Sequence, residues 1–109
     1  MILDEQSFKF KAEASLRRLY NALVAASEKH DLDADYGDAL TIEFEEPRAK
    51  FVVSPNSPVR QIWVSAHSRS FKLDYDEASD SFKLAETGES LMELVGKQVS
   101  QQLGDTVTL

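Results

Sequence analysis

Hydrophobic positions in the first quarter of the chain recur at steps of three and four. Phe8, Ala12, Leu16, Leu19, Leu23 and Ala26 build one apolar stripe, which predicts a helix over residues 7–30 with Ser7 as its cap. No Gly or Pro interrupts it, and the opposite face carries Lys9, Glu13, Arg17, Asn21 and Glu28. From residue 40 the period changes to two. Leu40, Ile42 and Phe44 alternate with Thr41, Glu43 and Glu45, the pattern of a half-buried strand. Glu46-Pro47-Arg48 marks a turn into a second strand over residues 49–53, and Ser54-Pro55-Asn56-Ser57-Pro58 reads as a loop by its turn residues. Gln61 to Ser65 alternates again, as do Phe71, Leu73 and Tyr75 with Lys72 and Asp74. The polar run Asp76 to Asp80 turns the chain into a short strand bearing Phe82 and Leu84, and Asp33 to Tyr36 adds one more strand at the front. Helical spacing returns over about residues 89–103 in Leu91, Leu94, Val95, Val99 and Leu103, with Gly104 ending the helix.

A helix, a run of antiparallel strands and a second helix specify an α+β fold. Two helices are expected on one face of a five- to seven-stranded antiparallel sheet, as a single domain over residues 1–109. The other sheet face then meets water. Trp63 is the informative residue on it. Side chains alternate across a strand, so Ile62 and Val64 share one face while Gln61, Trp63 and Ser65 share the other. The aliphatic pair belongs to the core, which leaves the only tryptophan beside a glutamine and a serine. Such an aromatic is either a contact residue or one covered by a terminal tail or long loop.

Charge narrows the partners. Twelve Lys and Arg stand against 19 Asp and Glu, a formal charge of −7. That argues against nucleic acid, which demands clustered cations, and against an anionic membrane surface. No apolar run approaches the roughly 20 residues that span a bilayer, and the start lacks the basic region of a secretory signal. A soluble cytosolic protein is expected. There is no cysteine, so thiolate metal sites, disulfides and Cys nucleophiles are excluded. His30 and His67 lie outside any metal or triad motif, and none of the four glycines builds a phosphate loop. No catalytic constellation stands out, and a non-enzyme is expected. Glu28, Asp31, Asp33, Asp35 and Asp38 fall close together, followed by Glu43, Glu45 and Glu46. Asp31, Asp33 and Asp35 are spaced by two, so in an extended chain they project from one face, with Glu28 able to stand beside them. Carboxylate oxygens suit hard or intermediate cations such as Fe²⁺, Fe³⁺, Mn²⁺ or Ca²⁺. No EF-hand register or closed ligand set is present, so the alternatives are a shallow, weak cation site and a solvated acidic surface.

Three segments in order carry a family resemblance. Gln61-Ile62-Trp63-Val64-Ser65 resembles the Q-[IV]-W-[LI]-[SA] strand of the frataxin family, including its bacterial CyaY-type members. Thr87-Gly88-Glu89-Ser90-Leu91-Met92-Glu93-Leu94 is similar to that family's second-helix segment, and Asp33-Ala34-Asp35-Tyr36-Gly37 with Leu40-Thr41-Ile42 to its first-strand pattern. Phe8, Ala12, Glu13, Leu16 and Leu19 fit its first helix, and the similarity spans residues 7–108. The resemblance implies two helices on an antiparallel sheet. It also implies a non-catalytic role in iron–sulfur cluster assembly: docking on a cysteine desulfurase–scaffold complex, weak binding of iron (Fe²⁺ or Fe³⁺) on an acidic ridge, and modulation of sulfur transfer in a bacterial cytoplasm. By position, Glu13, Glu28, Asp31, Asp33 and Asp35 would form the ridge, and Gln61 and Trp63, with Arg60 and Lys72, the partner contacts. The alternative is an iron storage or detoxification protein with ferroxidase-like handling of iron. A monomer is expected, or an oligomer formed with iron. The chain departs from the pattern where the family's first helix is dense in carboxylates, because that face here presents Arg17, Arg18, Asn21 and Ala25. It departs again at Val59, where many relatives have Asn, and in the turn Ala66-His67-Ser68-Arg69-Ser70, where a glycine is common.

Overall fold

A computed structural model describes residues 3–109. Helix α1 spans Glu5–Ala26, and six strands follow: β1 Asp33–Tyr36, β2 Leu40–Glu45, β3 Arg48–Asn56, β4 Gln61–Ala66, β5 Arg69–Asp76 and β6 Ser81–Leu84. Helix α2, Leu91–Leu103, closes the order. The strands form one antiparallel sheet in sequence order, each paired with its chain neighbour. The expected α+β architecture is present, with both helices on one face of the sheet.

The boundaries differ from the sequence expectation in instructive ways. The first helix begins at Glu5 because Asp4, not Ser7, is its cap: the Asp4 carboxylate accepts from the Ser7 backbone N–H at 2.7 Å. Ser7 lies at the third helical position, where its own N–H needs a partner, and an aspartate side chain reaches it. The helix ends at Ala26, and residues 27–30 form turns that redirect the chain into β1. The second helix starts at Leu91 behind a reciprocal cap, in which Ser90 Oγ accepts from Glu93 N and Glu93 Oε1 accepts from Ser90 N. Gly104 ends it at φ 68°, a left-handed conformation that glycine adopts without strain. The expected loop over residues 54–58 is corrected as well. β3 continues through Pro55 to Asn56, and only Ser57–Val59 leaves the strand, as a single 3-10 turn. Proline fits because β2 stops pairing at Val53, so β3 has β4 alone as its neighbour at Pro55.

Alternation decides what is buried. Ile42, Phe51, Val53, Ile62, Val64, Leu73 and Phe82 point inward with exposures of 2% or less, against Phe8, Leu16, Leu19 and Leu23 of α1 and Leu94, Val95 and Val99 of α2. Each such side chain contributes roughly 1.5–3 kcal/mol on removal from water. Phe82 meets Phe8 edge-on at 5.8 Å between centroids and Tyr75 at 5.6 Å. Among the described residues every buried side-chain polar atom has a hydrogen-bond partner. The chain after Gly104 returns along α2, where Val107 is buried and exchanges hydrogen bonds with Ser100 Oγ.

A polar staple ties α1 to the β5–β6 turn. Lys11 Nζ reaches Asp80 Oδ1 at 2.7 Å and lies over the Tyr75 ring, whose hydroxyl donates to the same carboxylate. The hydrogen bond from Lys11 holds the Asp80 carboxyl below its ordinary value of 3.8, and Asp80 in turn raises Lys11 above 10.5 and Tyr75 above 10.0. Caps depress Asp4 (the Ser7 N–H), Asp76 (the Ser79 hydroxyl) and Glu93 (the Ser90 N–H) in the same direction.

This packing can be tested at its centre and at its staple. Phe82→Ala removes the ring that joins both aromatic contacts, and it is expected to lower stability by about 3–5 kcal/mol in urea unfolding followed by circular dichroism. The pH dependence has a fixed sign. A carboxyl depressed in the folded state stabilises above its unfolded value, and that contribution disappears as pH falls through the folded value. Stability should therefore decline from about pH 4.5 downward, where Glu93 and then the three aspartates titrate in the unfolded chain. The raised Lys11 and Tyr75 stabilise below about 10 and lose that contribution at higher pH. Asp80→Asn should flatten part of both limbs; identical urea midpoint–pH curves for the two proteins would refute the staple.

Candidate functional site

The face of the sheet away from the helices carries a lattice of polar side chains, set by register. Directly opposed residues in antiparallel strands share a face. Ser54, Trp63 and Lys72 form one cross-strand row, and Asn56, Gln61, Asp74 and Lys83 form the next. Toward the other edge, Asp35 opposes Thr41 and Asp33 opposes Glu43, which in turn opposes Lys50.

Trp63 stands out of this face with 36% exposure. Among the described residues, neither the returning C-terminal segment, which lies on α2, nor a long loop covers it. The indole is nonetheless held. Its Nε1–H donates to Gln61 Oε1 at 2.9 Å, Gln61 Nε2 donates to Asp74 Oδ1 at 3.0 Å, and the Lys72 ammonium lies 5.0 Å from the ring centroid. Three of the four anticipated contact residues, Gln61, Trp63 and Lys72, thus gather in one patch.

Arg60 takes a different direction. It sits at φ 54° just before β4, and its guanidinium donates to the backbone carbonyls of Leu3 and Ser57. The side chain fastens the start of the chain to the 3-10 turn and is half-buried.

The five anticipated ridge residues are spread over two ends of β1. Asp33 stands with Glu43, Glu45, Arg48 and Lys50 around one shallow hollow. Glu13 stands on α1 beside Tyr36, Gly37 and Asp38, at the opposite end of the strand, around another. Glu28 and Asp31 are exposed in the connection between α1 and β1, and Asp35 is exposed on the strand. At the Tyr36 end the Arg17 guanidinium covers the Tyr36 ring at 5.5 Å, and Tyr36 also contacts Tyr20. Among the described residues, no three histidine or carboxylate side chains converge into a set that could hold a metal ion. What the register does supply is a pair of opposed carboxylates, Asp33 and Glu43. Oxygen donors of this kind suit a hard, largely hydrated cation. Asp74 was not singled out from sequence. Its alternation with Leu73 and Tyr75 carried the signal for its face, but only the register brings it opposite Gln61.

Comparison with known proteins agrees with this architecture. Residues 1–105 match the sequence model of the frataxin-like domain. The chain is similar to the iron–sulfur cluster assembly protein CyaY of Dechloromonas aromatica, at 33% identity over 107 residues covering 98% of this chain and 99% of the relative. It is similar to the CyaY of Pseudomonas aeruginosa at 36% identity over 85 residues, 75% and 78% of the two chains. A frataxin from Psychromonas ingrahamii, studied as a model of stability modulation within the CyaY family, shares the fold with a TM-score of 0.77 at 21% identity over 97% of each chain. Among the described residues no helix is long and apolar enough to cross a membrane.

Because Trp63 contributes to the face rather than to the core, Trp63→Ala is expected to change stability by less than about 1 kcal/mol. Phe51→Ala, its buried counterpart on β3, should cost about 3–5 kcal/mol. Urea unfolding of the two variants checks the contrast, and an equal loss in both would place Trp63 in the core.

Proposed function

The chain belongs to the frataxin family, CyaY type, and from that premise we propose that it is a non-catalytic accessory protein of iron–sulfur cluster assembly in a bacterial cytoplasm. Residues 1–109 act as one frataxin-like domain that docks on a cysteine desulfurase–scaffold complex and modulates sulfur transfer. The single observation that carries this reading is the exposed, oriented Trp63 on a largely polar sheet face, where Val52 is its only aliphatic companion among the paired rows of β2 to β5. An aromatic of this kind supplies the hold of an interface, while surrounding charges guide the encounter. Relatives covering nearly the whole chain bear the name iron–sulfur cluster assembly protein, which supports a role in that process.

The acidic residues serve the approach. Asp31, Asp33, Asp35 and Glu28, with Glu43 and Glu45, form the negative edge that meets a basic partner surface. The same edge binds Fe²⁺ or Fe³⁺ weakly, as cargo, with Glu13 as an outlying carboxylate. Arg17 and Arg18 oppose a cation along the rest of α1. The storage or ferroxidase alternative asks for a closed carboxylate set, and the dispersal of these residues weighs against it. The protein acts as a monomer.

The test combines pull-down with desulfurase kinetics. Trp63→Ala and the double variant Asp33→Asn/Asp35→Asn should each weaken binding to the purified complex, by about tenfold or more for the tryptophan, and the acidic variant should lose much of its salt dependence. Retention of full binding and full effect on turnover by both variants would remove the proposal. Anaerobic titration with Fe²⁺, followed by amide shifts, should perturb residues 28–45; shifts spread evenly over α1 instead would contradict the confined edge.

A further inference from the structure

Asp74 sits on β5 directly opposite Gln61, one row from the Trp63–Lys72 pair. The three polar side chains form a chain of hydrogen bonds with one direction: indole Nε1–H to Gln61 Oε1 at 2.9 Å, then Gln61 Nε2–H to Asp74 Oδ1 at 3.0 Å. The direction is dictated at its ends. An ionised carboxylate only accepts, and an indole N–H only donates. The amide between them satisfies both ends in one orientation alone, with its NH₂ toward Asp74 and its oxygen toward Trp63. Without Asp74 the amide is free to turn over and present a donor to a donor. Lys83, the other cross-strand neighbour of Asp74, forms its ion pair with Asp76 at 3.7 Å, which leaves the Asp74 carboxylate directed at the amide.

We infer that Asp74 is a positioning residue for docking: through Gln61 it fixes the edge of the Trp63 indole while Lys72 lies over the ring, so that the protein presents one preset aromatic surface to its partner. The role rests on the docking reading above. An aromatic already held in one rotamer loses little conformational freedom on binding, and that gain is expressed in affinity without any contact between Asp74 and the partner.

The test uses the full chain and its only tryptophan. In Asp74→Ala the indole Nε1 proton should exchange with solvent about fivefold faster, the fluorescence anisotropy of Trp63 should decay faster, and affinity for a purified bacterial cysteine desulfurase–scaffold complex should fall about fivefold, the range of one hydrogen bond of modest strength. The exchanged pair Asp74→Asn/Gln61→Glu rebuilds the relay with its groups reversed. The amide now on β5 would donate to the carboxylate now on β4, whose second oxygen accepts from the indole, so this double variant should recover both properties to within about twofold. A loss of packing alone would not be repaired by that exchange. Unchanged indole exchange in Asp74→Ala, or failure of the double variant to recover, overturns the positioning role. Faster exchange with unchanged affinity overturns its link to docking. Wild-type affinity in Trp63→Ala removes the docking reading itself, and the indole measurements still decide separately whether the relay exists.

Discussion

Two helices cover one face of a six-stranded antiparallel meander, and that one-sidedness governs the rest of the molecule. Each strand must turn its apolar set toward the helices, because a shift of one residue exchanges the faces completely. On β4 the choice is between Ile62, Val64 and Ala66 on one side and Gln61, Trp63 and Ser65 on the other. Burying the aliphatic set gains roughly 1.5–3 kcal/mol for each of the two larger side chains. Burying the tryptophan instead would carry an amide and a hydroxyl into the core, at a cost of order 1–3 kcal/mol for each group left unpaired. The aliphatic set wins, and the tryptophan is displaced outward as a consequence. Its exposure is therefore enforced by the fold, in the same way that the rows beside it are enforced by strand pairing.

The sequence made most of this readable because periodicity is a local signal. The stripe on the first helix, the period-two strands and the outward direction of Trp63 all follow from residues within a few positions of one another. What escaped it depends on distance along the chain or on competition between near-equivalent groups. Ser7 and Asp4 are both good helix caps, and only the three-dimensional start of α1 selects the aspartate. Pro55 suggests a loop until the extent of β2 is known, since proline is tolerated where a strand has lost one neighbour. Arg60 has the chemistry of a contact residue, yet its left-handed backbone and the nearby carbonyls of Leu3 and Ser57 turn it inward. Asp74 lies 13 positions from Gln61, and no local pattern couples them.

The acidic residues show the same limit from another side. Spacing by two puts Asp33 and Asp35 on one face of β1, but it says nothing of which end of that strand α1 crosses. The helix brings Glu13 to the Tyr36 end and Arg17 onto the Tyr36 ring, so Glu13 stands apart from Asp33 and its neighbours at the other end of the strand. Divided carboxylates still add their fields at a distance of about a Debye length, roughly 8–10 Å at ordinary ionic strength. They cannot add as ligands, which must meet at one point within bonding distance. The arrangement consequently suits long-range attraction better than coordination, and Arg17 adds a cation at the Tyr36 end of β1.

Long-range charge and a preset aromatic act on different parts of association. Charge raises the frequency and orientation of encounters, and salt weakens it. The aromatic acts after contact, when its surface is removed from water, and so it governs how long the complex lasts. For that second step the state of the indole before binding matters as much as its area. A ring free to sample rotamers gives up that freedom on docking, whereas one fixed at its edge by Gln61 and flanked by Lys72 has already done so within the folded chain. The hydrogen bonds involved are solvent-exposed and weak individually, which means they add little to folding stability. On the docking reading their value lies in restricting one side chain, through residues whose removal the core would scarcely register.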